Sequence, residues 1–277
     1  MPERLELAPF FLDAHSRRLF AVFTAPRKEN PAETTVLFCP PFGEEIAKSR
    51  LTVATQARAF AAHGIATLRV DLSCTGDSEG EFADASWDDW LGDVEAAARW
   101  LVEHGAERVV VWGLRLGALL AMDWLRRTDQ AVFATVLWQP VFSGRQFLRQ
   151  FLRMRTVADT VAGETKSTVN ELLEELQSGR MLEVGGYALS PRLAEQLDAA
   201  GAGEIWHSDM PPVALFEVIN EHGQGLMPAT AKSMSQAQAL GLSIATHLIV
   251  DKQFWRSTDI VLSPNLIAET TKHALPT

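Results

Sequence analysis

The sequence predicts an α/β fold built on a mostly parallel sheet. Three observations point there. Short apolar runs alternate with helical patterns, Pro, Gly and Asp mark the joints between them, and 47% of the 277 residues are hydrophobic. Such alternation implies right-handed crossovers and a sheet with helices on both faces. The length suits one large domain, or one domain with an inserted piece. Gly (18) and Pro (13) stand near ordinary usage, which excludes collagen-like and low-complexity chains.

Each element follows from its local pattern. LFAVFTAP (19–26) and TVLFCPP (35–41) are apolar runs closed by Pro, as in strands buried on both faces. SRLTVATQARAFAAHG (49–64) sets Leu51, Ala54, Ala57 and Phe60 at helical spacing, with Ser49 as N-cap and Gly64 as the stop. IATLRVDL (65–72) returns to a strand. After a Gly/Asp/Ser-rich loop, SWDDWLGDVEAAARWLVEHG (86–105) opens a helix on Ser86, with two acids in the turn where the helix dipole favours them. RVVVWGL (108–114) predicts a central strand, LGALLAMDWLRR (116–127) an apolar helix and ATVLWQP (134–140) the next strand.

Between 143 and 210 the rhythm changes. RQFLRQFLRMRTVADTV, STVNELLEELQSG and PRLAEQLDAAG are helical, and LEVGGYALSP is a turn or short extended piece. The chain therefore divides into a core, residues 1–142 plus 211–277, and a mainly helical cap insertion, residues 143–210. The α/β pattern resumes with strands at VALFEVIN (213–220) and SIATHLIVD (243–251), and helices at PATAKSMSQAQALG (228–241) and PNLIAETTKHAL (264–275).

Charge and cysteine usage narrow the setting. With 25 basic against 35 acidic side chains the net charge is −10, which disfavours binding to nucleic acid or anionic membranes. Cys39 and Cys74 cannot build a disulfide framework, so a reducing, cytoplasmic compartment is expected. MPERLELAPFFLDAHSRRLF carries acids early and lacks the apolar centre of a signal peptide. No apolar run approaches the roughly 20 residues of a membrane helix.

VVVWGLRLGALLA (109–121) is the most informative stretch. A strand entering Gly-x-x-x-Gly and then a helix has the form of a nucleophile elbow, which holds its middle residue on a strained turn above the sheet. That residue is Arg115, whose guanidinium stays protonated and cannot attack a carbonyl.

Several stretches carry a family resemblance: CPPFGEEIAKSR (39–50), DLSCTGDSEGEF (71–82), WDDWLGDVEAA (87–97), WGLRLGALLA (112–121), LWQPVFSGRQFLRQFLRMR (137–155), GYALSPRLAEQL (186–197) and QFWRSTDI (253–260). The chain resembles α/β-hydrolase-fold proteins, and specifically the bacterial group called exosortase A system-associated hydrolase, ortholog 2. The resemblance implies an α/β-hydrolase sheet with a helical cap, in a bacterium that makes exopolysaccharide and sorts proteins through an exosortase. It also locates the remaining triad positions. The acid slot, after the 213–220 strand, falls near Gln224, and the base slot, after the last strand, falls on Phe254 or Trp255. Ser, acid and base are thus all replaced, which argues against Ser-His-Asp acyl transfer.

Arg115 has three readings: a cation paired with Glu44 or Glu45, an anion-binding group beside the helix start at Leu116, or a stabiliser of a developing oxyanion. The expected ligand-binding set is Arg115, Leu116, Phe42, Gly43, Glu44, Glu45, Trp138, Gln139 and Trp255, with the two tryptophans offering flat faces for a sugar ring. Arg145, Arg149 and Arg153, spaced by four, form either a solvated row or a cationic wall. Cys39 and Ser78 are the candidates for a relocated nucleophile, Asp77 is expected to cap a tight loop, and Cys39 reads otherwise as a small core residue. His207, His222, His247 and His273 show no metal-ligand spacing, and neither metal nor cofactor is expected. Three functions follow: a non-catalytic binder of a small anionic metabolite, sugar derivative or protein partner, a hydrolase (esterase, thioesterase or deacylase) with a displaced nucleophile, or a scaffold without ligand whose pocket is filled by Arg115 and its carboxylate partner.

Overall fold

Apolar runs that alternate between two faces need cover on both, and the fold supplies it. The structure is a computed structural model describing residues 6–14, 17–25, 33–162, 167–203 and 205–274. In chain order the strands are β1 (Glu6–Ala14), β2 (Arg17–Ala25), β3 (Thr34–Cys39), β4 (Ala66–Val70), β5 (Arg108–Leu114), β6 (Ala134–Trp138), β7 (Leu182–Val184), β8 (Tyr187–Leu189), β9 (Val213–Ile219) and β10 (Ile244–Val250). The helices are α1 (Glu44–Ala62), α2 (Trp87–Glu103), α3 (Leu116–Leu125), α4 (Gly144–Ala162), α5 (Val169–Gln177), α6 (Pro191–Ala199), α7 (Pro228–Ala239) and α8 (Pro264–His273).

Eight strands form one sheet in the order β1-β2-β4-β3-β5-β6-β9-β10. β1 and β2 run antiparallel to their neighbours, and the other six, β4, β3, β5, β6, β9 and β10, are parallel to one another. Along β3, Val36 and Phe38 pack with Trp112 and Phe60 on one face, and Leu37 and Cys39 pack with Val94 and Leu119 on the other. Helices α1 and α8 cover the first face, and α2, α3 and α7 the second. Strand order reverses at β3, because the chain leaves it first for β4 and then returns to β5 on its other side. Loops diverge there, and ligands of open α/β sheets bind at such a reversal, outside the carboxyl ends of the strands.

Three local features differ from the sequence reading. Residues 6–14, to which that reading assigns no element, pair with β2 along their whole length. Leu12 and Ala14 face inward while Leu7 and Phe11 face solvent, and Pro9 is tolerated because β1 is an edge. Helix α1 starts at Glu44 rather than after Ser49. Gly43 provides its N-cap at φ 59°, and Ser49 is buried in the second turn with its hydroxyl donating to the Glu45 carbonyl. LEVGGYALSP closes as a two-stranded hairpin, β7–β8. Ser86 does cap α2, accepting from the Asp89 amide at 3.1 Å.

Between β6 and β9 the chain leaves the sheet for α4, α5, the hairpin and α6. Phe147, Leu148, Phe151 and Leu152 of α4 join the larger apolar cluster, which seats this segment over the carboxyl ends of the strands. Glu217 is the one charge within the fully buried β9. Its carboxylate accepts from the Met227 amide at 2.5 Å and from the Thr230 hydroxyl, tying the start of α7 to the sheet. The helix dipole reinforces that anchor. No helix among the described residues is long and apolar enough to cross a membrane.

The β5–α3 turn has no room for added atoms. A Cβ on Gly113 would lie 2.4 Å from the Ala118 Cα, and one on Gly117 would lie 2.3 Å from the carbonyl oxygens of Cys39 and Pro40. Both obstacles are backbone, so Gly117→Ala is expected to cost about 2–4 kcal/mol. Urea unfolding checks this, as a lowered midpoint with an unchanged slope.

Candidate functional site

Arg115 occupies the apex of that turn with φ 56° and ψ −117°. For a residue with a side chain such a backbone costs of order 1–3 kcal/mol, and it persists where the surroundings over-determine it. Here they do. The Arg115 amide donates to the Trp138 carbonyl at 3.0 Å, and the Arg115 carbonyl accepts from the Ala118 and Val141 amides at 3.1 and 3.2 Å. Gln139, also left-handed at φ 43°, extends the β6–β9 ladder with its side chain, its Oε1 accepting from the Val218 amide at 2.8 Å.

Among the described residues the Arg115 side chain makes one hydrogen bond, from Nε to Glu45 Oε1 at 3.2 Å. Both side chains are 19% exposed. Its Cζ sits 5.8 Å over the ring of Trp255, which a short 3-10 turn (Phe254–Arg256) presents after β10. This contact adds cation–π attraction. Burial pushes the Glu45 carboxyl up, against the opposing pull of Arg115 first and of Arg256 and Lys48 after it. Glu45 Oε2 is shut off from solvent and has no hydrogen-bond partner among the described residues. Among the described residues, the two terminal nitrogens of Arg115 carry no hydrogen bond, so two of the three guanidinium nitrogens are uncommitted.

A cavity of about 660 Å³ opens above the pair, at the carboxyl ends of the strands. Of the residues expected at a ligand site, Phe42, Glu44, Glu45, Arg115, Gln139 and Trp255 line it. Gly43 and Leu116 instead line a small apolar pocket beside the elbow. Trp138 corrects the expectation of a stacking face. It is 1% exposed, wedged between Trp112 and Phe254, and its indole N–H donates to Thr270 at 2.8 Å. The row of three arginines splits: Arg145 pairs with Asp198, Arg149 donates to Asn170, and Arg153 lines the cavity.

Sequence reasoning missed Lys48, Tyr187, Gln253 and Arg256, which also line the cavity. The charge on Arg256 in QFWRSTDI, next to the expected aromatic slot, was the signal available. Lys48 is held by Glu44 at 3.0 Å, while Arg153 and Arg256 have no ion-pair partner among the described residues. Four cations thus face two carboxylates, and the cavity is net positive in a protein of charge −10.

The displaced-nucleophile candidates are poorly placed. Cys39 is fully buried, and burial pushes its thiol up to about 12. Ser78 donates to the Asp71 carbonyl and accepts from the Phe20 amide. Gln224 is exposed and accepts from the Asn220 amide within its own loop. Ser143 does line the cavity, but its hydroxyl accepts from the Gln146 amide at 3.3 Å at the start of α4, and among the described residues no histidine lines the cavity. No group of three or more His, Cys, Asp or Glu able to hold a metal ion occurs among the described residues.

A family model described as serine aminopeptidase, S33, matches residues 30–199, more than half of the chain. The chain belongs to this family of α/β hydrolases. Solved structures agree on the fold. Est1E from Butyrivibrio proteoclasticus, bound to ferulic acid, is 15% identical with a TM-score of 0.66, over 96% of this chain and 97% of its own. A putative hydrolase from Agrobacterium vitis S4 is 17% identical with a TM-score of 0.58, over 98% of both chains. Mouse alpha/beta hydrolase domain-containing protein 10 is 14% identical with a TM-score of 0.58, over 96% of this chain and 97% of its own. No curated protein matches the sequence. The family description names a serine; this S33-family chain carries Arg115 at the elbow apex.

Removing the guanidinium would leave Glu45 with its nearest counter-charge gone. Arg115→Met is expected to destabilise the fold by about 1–3 kcal/mol near neutral pH, less than a fully buried pair because both groups keep some solvent contact. Glu45 sits above its unfolded value, so its ionised form is the penalised one; that penalty grows as pH rises through the unfolded value and is complete above the folded one. The loss in Arg115→Met should therefore shrink under acid, as urea unfolding at about pH 5 and about pH 8 would show, and Glu45→Gln in the same chain should restore part of it.

Proposed function

We propose that this S33-family protein binds a small oxyanionic ligand without catalysing acyl transfer. The observation that carries this reading is Arg115 at the elbow apex, hydrogen-bonded once to Glu45 and backed by Trp255, beneath a net-positive cavity. A guanidinium cannot serve as nucleophile, and it recognises carboxylates and phosphates through the same fork of N–H groups. The ligand-binding residues in this reading are Arg115, Phe42, Glu44, Glu45, Gln139 and Trp255, with Arg256 added. The ligand is an anionic metabolite or sugar derivative. On the stretches that resemble the exosortase A system-associated group, we place the protein in the cytoplasm of a bacterium making exopolysaccharide.

The second reading, an active esterase, thioesterase or deacylase, has the fold and the esterase-like structural neighbours in its favour. It requires a nucleophile and a base that come together, and among the described residues the cavity holds no imidazole to deprotonate Ser143.

Activated short-chain esters separate the two. The purified protein is expected to hydrolyse p-nitrophenyl butyrate with kcat below about 10⁻³ s⁻¹, against roughly 10 s⁻¹ for a median enzyme. Arg115→Ser should not raise it, since a hydroxyl alone does not make a triad. Turnover that survives repurification and vanishes in Cys39→Ala or Ser143→Ala would establish the second reading instead.

A further inference from the structure

The cavity is far larger than an anion's head group, and its walls are not uniform. From the β3–α1 turn and α4, Phe42, Phe147, Phe151 and Met154 supply an apolar wall. Phe147, Phe151 and Met154 lie at i, i+4 and i+7 on α4, so one helix face lines the space. Phe42 stands edge-on to Phe147 and Phe151, with ring centroids 5.3 and 5.0 Å away, which makes the wall rigid. Met154 is 43% exposed, so apolar surface is left facing the opening. The rest of the lining is polar and cationic: the two terminal nitrogens of Arg115, Arg256 beside Trp255, Lys48 on α1 and, next to Met154 on α4 itself, Arg153.

We infer that the cavity takes an amphipathic oxyanion, its carboxylate or phosphate head on Arg115 and Arg256 and its apolar body along Phe42, Phe147, Phe151 and Met154. This rests on the anion-binding reading above and specifies its ligand class. Inorganic phosphate or acetate would occupy only the cationic part and leave most of about 660 Å³ filled with water against aromatic rings. A body of several methylenes displaces that water, and pockets of about 300–1,000 Å³ enclose ligands of this size. The head group can be carboxylate or phosphate, because both match the guanidinium fork.

Calorimetric titration of the whole chain with acetate, octanoate, inorganic phosphate, octyl phosphate and octanol tests this. Octanoate is expected to bind at least about tenfold more tightly than acetate, and octyl phosphate likewise over phosphate, because each buried methylene adds affinity. Arg256→Gln should weaken both short and long anions by about fivefold or more. Phe151→Ala should weaken octanoate while leaving acetate unchanged, and Met154→Gln, a half-exposed position that spares the core, should do so to a smaller degree. Acetate and phosphate binding with no gain from the chain would overturn the amphipathic assignment and leave the anion-binding reading standing. Octanol binding as tightly as octanoate would overturn the assignment of the head group to the arginines. Failure of every anion to bind would overturn both readings together.

Discussion

The close approach of β5 and α3 governs the top of this molecule. Two absent side chains, at Gly113 and Gly117, let the α3 backbone settle against the strand and against the Cys39–Pro40 carbonyls. That contact forces the residue between them into a left-handed backbone and lifts its side chain above the sheet. The turn is then locked from the other side, because the Arg115 amide and carbonyl are both used by the chain leaving β6. None of these constraints involves the side chain at the apex. The backbone of the elbow is therefore specified independently of which side chain stands at its apex, and here it holds an arginine.

A cation at such an apex brings its own requirement. Partly withdrawn from water, it needs a carboxylate nearby, and the reversal of strand order at β3 puts the first turn of α1 in reach. Glu45 answers with one oxygen only, and its other oxygen is left unsatisfied. A pair held by a single hydrogen bond neither cancels the cation fully nor satisfies the acid. Half-satisfied polar groups of this kind cost stability, and such costs concentrate where a site has work to do. The arrangement differs from a salt bridge that merely fills a hole, which would be bidentate with both oxygens engaged.

Much of this was legible from residues alone. The two-faced burial of TVLFC and RVVVW, the Ser86 cap and the elbow with Arg115 at its apex are each written in local pattern. What stayed hidden depends on distant neighbours. Pro9 masked an edge strand that only β2 makes possible, and Gly43 moved the start of α1 forward by supplying a backbone conformation that no side-chain cap announces. Trp138 closes β6 and Trp255 lies on the 3-10 turn after β10, both beyond apolar runs, yet Thr270 on α8 draws the first indole into the core while the second lines the cavity under Arg115. Arg145, Arg149 and Arg153 share one periodicity, and their fates were set by Asp198 and Asn170 on other helices.

Charge distribution carries the synthesis one step further. A net charge of −10 repels any anion from most of the surface, and that repulsion accumulates with each charge on the approaching molecule. A polyanion in contact with the surface over tens of ångströms meets many carboxylates at once. A ligand with one or two charges is repelled only weakly beyond about 8 Å at physiological salt, where screening takes over. Once inside, it meets four cations against two carboxylates in a space partly closed to water, where the same charges act more strongly. In the anion-binding reading proposed above, the acidic exterior and the cationic cavity act as complementary parts of one selection, which admits small anions and turns long ones away before the arginines are reached.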